Sequence, residues 1–259
     1  MILLAADSVI IARKRAYEAR RNLDIGAHES IDIFKALRDK EGVSLIISEC
    51  KGDISGFFMR KGDVGLIFVN SARSLGHQHF AAAHEYYHLQ YDTGLSGKIC
   101  PIKKFDDEYS NEHEANIFAS YFLMPDDALR YHVDTRTNGG KIKIQDVIHM
   151  ENHFGVSHQL MLLRLKDLRL ITEEDAKIMR PQIINQARKL GFSTDLYKST
   201  ESKGEFVYSD YAAIAAELLE SGKISFGKYE ELLMDGKYSD VLFGGEDVTN
   251  DNPDPDCLR

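Results

Sequence analysis

The sequence predicts an α+β fold that is mostly α-helical and contains a small antiparallel sheet. Three short apolar runs, 43–48, 55–60 and 65–70, are separated by Gly52-Asp53 and Lys61-Gly62-Asp63, a pattern typical of strands joined by turns. Most of the remaining chain repeats its apolar residues at intervals of three and four, which indicates amphipathic helices.

Helices are predicted on both sides of these strands. Helix 74–93 directly follows the third strand, and segment 94–106, which contains glycine and proline, is predicted to be a loop. The other predicted helices span 9–22, 29–42, 107–123, a short one opening at Asp126-Asp127, 143–154, 157–168, 172–190, 208–221 and 226–234.

The composition is that of a soluble globular protein, with 43% hydrophobic and 28% charged residues in 259. A formal net charge of −9 argues against a general affinity for nucleic acid or anionic membranes. No apolar run approaches the roughly 20 residues of a membrane span. The first apolar residues precede a basic cluster, the reverse of a secretory signal, and the three cysteines form no pair, so we expect a cytoplasmic protein.

The domain prediction places the main globular domain at residues 29–170, after an N-terminal helical segment at 1–28. The domain includes a hairpin at 143–168 that resembles a helix-turn-helix. A helical C-terminal region is expected at 171–243. The last residues, 244–259, are acidic and poor in apolar side chains, which predicts a disordered tail.

The most informative segment is His84-Glu85-Tyr86-Tyr87-His88. On a helix, His84 and His88 lie on one face and can present two imidazoles to one metal ion. Glu85 lies beside them, where it can act on water as a general base without binding the metal. This is the zincin arrangement of two ligands and a base.

A catalytic metal needs a third protein ligand. A third histidine at the metzincin spacing is absent, because Tyr91 and Gly94 occupy the two key positions. The alternative is a carboxylate from a later helix, and segment 111–119 offers Glu112 and Glu114. We favour Glu114, because Glu112 is well explained as an acidic residue at a helix N-terminus.

These segments together resemble the ImmA/IrrE family of bacterial metallopeptidases. The resemblance covers roughly residues 30–170 and is carried by Phe80–His88, Asn111–Ala119 and Leu123-Met124-Pro125. The family pattern commonly has Gly where this chain has Tyr87. The resemblance implies a zincin-like peptidase domain with His84, His88 and Glu114 as zinc ligands and Glu85 as catalytic base.

The resemblance also implies a substrate, a partner protein of the Xre type, which is a helix-turn-helix repressor. Cleavage of such a repressor would derepress stress-response or mobile-element genes. Zinc is the expected metal, with Mn²⁺ as the alternative. Candidates for stabilising the oxyanion of the reaction are His113, Tyr86, Tyr87, Tyr109 and Tyr121, and the sequence does not choose among them.

A second interpretation rests on the hairpin at 143–168. Gly155-Val156-Ser157 forms its corner, and Arg164, Lys166 and Arg169 add positive charge to the helix that follows. The chain would then be a DNA-binding or partner-binding regulator, comparable to a toxin-antitoxin component, with a weakly active or vestigial metal site. The acidic chain and the leucine-rich second helix favour packing of the hairpin within the domain instead.

Overall fold

The computed structural model describes residues 2–92, 97–101 and 111–236, together with 238 and 242. Within these residues the chain is mostly helical and carries one sheet, so the predicted α+β class is confirmed. The predicted tail at 244–259 lies outside the described residues. Within the described residues, none of the helices combines the length and apolar composition of a membrane span.

The sheet has five strands in the order β4-β2-β3-β1-β5. The strands are β1 (Ser44–Ser48), β2 (Ile54–Lys61), β3 (Val64–Asn70), β4 (Gly97–Pro101) and β5 (Phe206–Tyr208). The sheet is mixed, and the prediction of an antiparallel sheet is wrong for one pair, since β1 runs parallel to β3. The reason is that β2 and β3 form a tight hairpin while β1 pairs on the far side of β3.

Two strands were not predicted from the sequence. β4 lies in the segment expected to be a loop and pairs with β2, and β5 pairs antiparallel with β1. Both strands are short, and the partner that completes their hydrogen bonding is distant in the sequence. Among the described strands, β4 and β5 therefore form the two edges of the sheet, and β3 is interior.

The helices that matter for the site are α1 (Ile2–Asn22), α3 (Leu75–Tyr91) and α4 (Asn111–Leu123). α3 begins directly after β3 and packs against β2 and β3 on one side and α4 on the other, and α4 also packs against α1. The remaining helices are α2 (Ile33–Asp39), α5 (Asp126–Thr137), α6 (Ile144–Phe154), α7 (His158–Asp167), α8 (Glu173–Met179), α9 (Ile183–Lys189), α10 (Tyr211–Glu220) and α11 (Phe226–Asp235).

The single helix predicted at 172–190 is two helices. α8 ends at Met179, and α9 starts only after Pro181 and Gln182. Proline has no N–H to donate and restricts the residue before it, so a helix ends at this point. Gln182 takes a left-handed conformation with φ of 58°, which redirects the chain into α9.

The chain forms two compact units, one ending at Tyr208 and the other beginning at Ser209. The first unit contains α1, the sheet and residues 171–208. The second unit contains the α10–α11 hairpin, which packs around Ala215 and Leu233.

Candidate metal centre and its surroundings

His84 and His88 stand one turn apart on α3, on the face that meets α4. Their side chains are buried, at 7% and 0% exposure, because α3 lies between the sheet and α4. The two Nε2 atoms are 3.1 Å apart. Both imidazoles therefore direct the same nitrogen to one point.

Glu112, in the first turn of α4, completes the cluster. Its carboxylate oxygens lie 3.3 Å from Nε2 of His84 and 3.6 Å from Nε2 of His88. One ligand atom from each of the three residues lies within 4.8 Å of the others, a spacing that can hold a metal ion. Two imidazoles and a carboxylate are a zinc donor set that leaves a fourth position for water or substrate.

The other imidazole nitrogens are held by side chains outside the cluster. Nδ1 of His84 is 2.9 Å from Oδ1 of Asn116, and Nδ1 of His88 is 2.8 Å from a carboxylate oxygen of Asp92. Both acceptors require a proton on Nδ1, which leaves the Nε2 lone pair available for a metal. Metal-binding histidines are commonly oriented in this way.

The electrostatics of the cluster favour a cation. Burial acts to lower the pKa of His84, but hydrogen bonding to Glu112 and the charge of Glu85 outweigh it and raise that pKa. Burial, followed by the positive charge of His84, lowers the pKa of His88 to about 4. The carboxylates of Glu112 and Glu85 that raise the pKa of His84 would likewise favour a bound metal cation.

Glu85 follows His84 on α3 and points to the sheet. Its side chain is 1% exposed and lies over Gly56 of β2. A Cβ atom at position 56 would lie 3.1 Å from Cγ of Glu85 and 2.7 Å from the carbonyl oxygen of Phe68, so only glycine fits there. The strand therefore makes room for a carboxylate beside the histidine pair, where a general base would act.

Glu114, the third ligand favoured from the sequence, lies elsewhere. Its carboxylate accepts a hydrogen bond from the Tyr87 hydroxyl at 2.5 Å and pairs with Arg15 of α1 at 3.2 Å. Residues two apart on a helix are about 200° apart, so Glu112 and Glu114 face opposite sides of α4. Glu112 faces α3, and the choice of Glu114 is corrected to Glu112.

Tyr87, a sequence candidate for oxyanion stabilisation, takes part in this second network. Its ring is 2% exposed, and its hydroxyl lies 2.5 Å both from Nη1 of Arg15 and from Glu114. The guanidinium of Arg15 also lies 4.4 Å from the ring centre of Tyr91. The tyrosine that replaces the usual glycine thus joins α3 to α1 and α4, and its hydroxyl is engaged there.

Replacing Tyr87 by Phe is expected to lower the free energy of unfolding by about 1.5 kcal/mol, because a hydrogen bond to a charged group is lost while the ring stays packed. Urea unfolding measures this change. Zinc binding should be unaffected. Tyr91→Phe is the matched control, since its hydroxyl has no hydrogen-bond partner among the described residues. An equal loss in both variants would contradict the role given to the Tyr87 hydroxyl.

The remaining sequence candidates are placed as follows. His113 is half-buried next to Glu112 and has no polar partner in the described part of the chain. Tyr109 lies outside the described residues. Tyr86 packs on Phe118 and Phe122 of α4. The ring of Tyr121 lies beneath the guanidinium of Arg164, at 3.9 Å. Tyr86 and Tyr121 thus serve in packing.

The hairpin that resembles a helix-turn-helix is formed by α6 and α7, as predicted. Gly155 has φ of 66° at the corner, and Ser157 caps α7 through its hydroxyl. Arg164, which contributed positive charge in the DNA-binding interpretation, is 1% exposed and pairs with Asp126 at 2.6 Å. Lys166 pairs with Glu173. This packing supports a structural role for α7.

Comparison with protein families adds to this geometry. Residues 39–166 match the model of the IrrE N-terminal-like domain, peptidase M78. This part of the chain belongs to that family. The resemblance inferred from the helix motifs is thereby confirmed, and the match places residues 39–166 in a metallopeptidase family. No curated protein matches the chain in a direct comparison.

The matched region of the IrrE-like domain contains the whole cluster of His84, His88 and Glu112, together with Glu85. Peptidases of this family depend on a metal ion, and the donor set with its oriented imidazoles fits one. The position of Asn116 in the sequence could have pointed to Glu112 as the ligand. It lies four residues after Glu112, the same interval that separates the two histidines, and so marks the face of α4 that meets them.

Proposed function

We propose that this IrrE-like protein is a metal-dependent endopeptidase that cleaves one partner protein. The observation that carries the proposal is the convergence of His84, His88 and Glu112 with Glu85 beside them. Zinc is the metal that this donor set suits best, with Mn²⁺ as the alternative. When bound, the metal would polarise the scissile carbonyl and lower the pKa of water.

The chain's own residues would carry out the proton transfers. A carboxylate oxygen of Glu85 takes a proton from the attacking water and passes it to the leaving amine. Gly56 leaves the space that Glu85 occupies against the sheet, and Asn116 and Asp92 keep the imidazoles oriented. Burial of Glu85 and both histidines keeps bulk water away from the acid–base step.

The sheet offers a place for an extended substrate segment. Among the described strands, β4 pairs on one side only, with β2, which lies against α3. A polypeptide could add to the outer edge of β4 and bind through main-chain hydrogen bonds. A target would need an unfolded or looped segment, which favours selective cleavage over digestion.

The proposed partner is an Xre-type repressor, whose cleavage would derepress stress-response or mobile-element genes. This choice rests on the resemblance to ImmA/IrrE proteins. Incubation of the zinc-loaded protein with the Xre-type repressor encoded nearest its gene should give one discrete cleavage. A chelator should abolish the cleavage, and added zinc or Mn²⁺ should restore it.

An intact repressor at every metal concentration, with zinc bound to the protein, would contradict this substrate. A gel shift with DNA that weakens steeply as salt increases would instead support the DNA-binding regulator.

A further inference from the structure

A second pair of polar side chains lies along the same face of α3 as the metal cluster. His77 precedes His84 by seven residues, about two helical turns, so the two side chains lie on one face. Its Nε2 atom is 2.9 Å from the hydroxyl of Ser55 on β2. Both residues are half-buried, which leaves the pair accessible to a ligand.

A β-bulge places Ser55 in this position. Successive residues of a regular strand point to opposite faces, so Ser55 and Gly56 should not both meet α3. The register of β2 against β4 shifts between Ile54 and Gly56, and Ser55 is the extra residue. A bulge turns its side chain from the regular direction. Ser55 thus reaches His77 while Gly56 lies against Glu85.

The pair is uncharged at neutral pH. Burial, followed by the positive charges of Arg73 and His84, lowers the pKa of His77 to about 4. In the described part of the chain, Nδ1 of His77 has no hydrogen-bond partner, since the only hydrogen bond of the ring there joins Nε2 and the Ser55 hydroxyl. A neutral imidazole and a hydroxyl suit an uncharged amide better than a charged side chain.

We propose that Ser55 and His77 form a subsite that binds the main chain of an extended polypeptide next to Glu85. The inference rests on the proposed peptidase function and specifies how that site holds its substrate. Nδ1 of His77 makes a hydrogen bond to a substrate peptide group, and Ser55 fixes the ring through Nε2. The pair is a substrate-binding element and takes no proton in the reaction.

Binding of two hydroxamates to the zinc-loaded protein tests this subsite without requiring turnover. Acetohydroxamate reaches only the metal, whereas an N-acetylated trialanine hydroxamate also carries peptide groups that can reach His77. His77→Ala should weaken the peptide hydroxamate about 5- to 10-fold, the effect of one hydrogen bond, and leave acetohydroxamate and zinc affinity unchanged. Ser55→Ala, which removes only the hydroxyl, should weaken the peptide ligand less.

The control is Gln90→Ala, an exposed residue near the far end of α3, which should alter neither ligand. Unchanged peptide binding in His77→Ala would overturn the subsite, and so would an equal loss for both hydroxamates, which indicates a structural role. If wild-type protein binds both hydroxamates as expected but cleaves no repressor, only the proposed function fails. If neither hydroxamate binds the zinc-loaded protein, both inferences fail.

Discussion

Replacing Glu112 by Gln is expected to remove the metal from the protein. The carboxylate of Glu112 approaches both Nε2 atoms, and an amide in its place offers one neutral oxygen and no charge. Loss of an outer hydrogen-bond partner typically lowers metal affinity 10- to 100-fold, so loss of a direct ligand should cost at least about 100-fold. Zinc content after dialysis and competition with a chromophoric chelator measure the change.

Glu114→Gln is the matched control, because it makes the same chemical change two residues further along α4. This variant should keep its zinc, since Glu114 faces Arg15 and Tyr87. It should unfold more easily, because the charged partner of Arg15 is lost. Zinc retained by Glu112→Gln and lost by Glu114→Gln would restore the assignment made from the sequence.

Replacing Glu85 by Gln is expected to lower the single-turnover rate constant for repressor cleavage by about 10²- to 10⁴-fold, the usual contribution of a general base. An amide of nearly the same size fills the space over Gly56 and cannot accept the proton of water. Zinc should remain bound, since the three candidate ligands are intact. Single-turnover cleavage with metal analysis of the same sample measures both effects.

The control for Glu85→Gln is Glu173→Gln, which neutralises a carboxylate that pairs with Lys166 outside the metal site. Its cleavage rate should match that of wild-type protein. Full cleavage by Glu85→Gln with zinc bound would refute the mechanism while leaving the metal site in place. Loss of zinc in this variant would show that Glu85 holds the ion or its ligands.

The limits of sequence-based prediction are clear at α4. Helical periodicity correctly indicated that Glu112 and Glu114 face different ways, but it does not say which face meets α3. Helix α1 fixes the orientation of α4, because Arg15 on α1 forms an ion pair with Glu114 and Glu112 is left facing α3. A basic residue about a hundred positions away in the chain is not a local signal.

The sheet shows the same limit. The sequence predicts β1, β2 and β3 because each is a short apolar run bounded by turn residues. The strands β4 and β5 carry little such pattern and exist because a neighbouring strand offers unpaired hydrogen-bonding groups. The bulge at Ser55 likewise arises from the register of β2 against β4, which the sequence of β2 alone does not show.

The sequence by itself determined the helix that carries His84, Glu85 and His88, because the spacing of side chains on a helix is fixed by local geometry. It also determined the α+β class and the family motifs. Only the tertiary structure decided that Glu112 joins the histidines, that Tyr87 belongs to the α1 network, and that Ser55 reaches His77. Each of these depends on contacts between elements distant in sequence, which local periodicity does not encode.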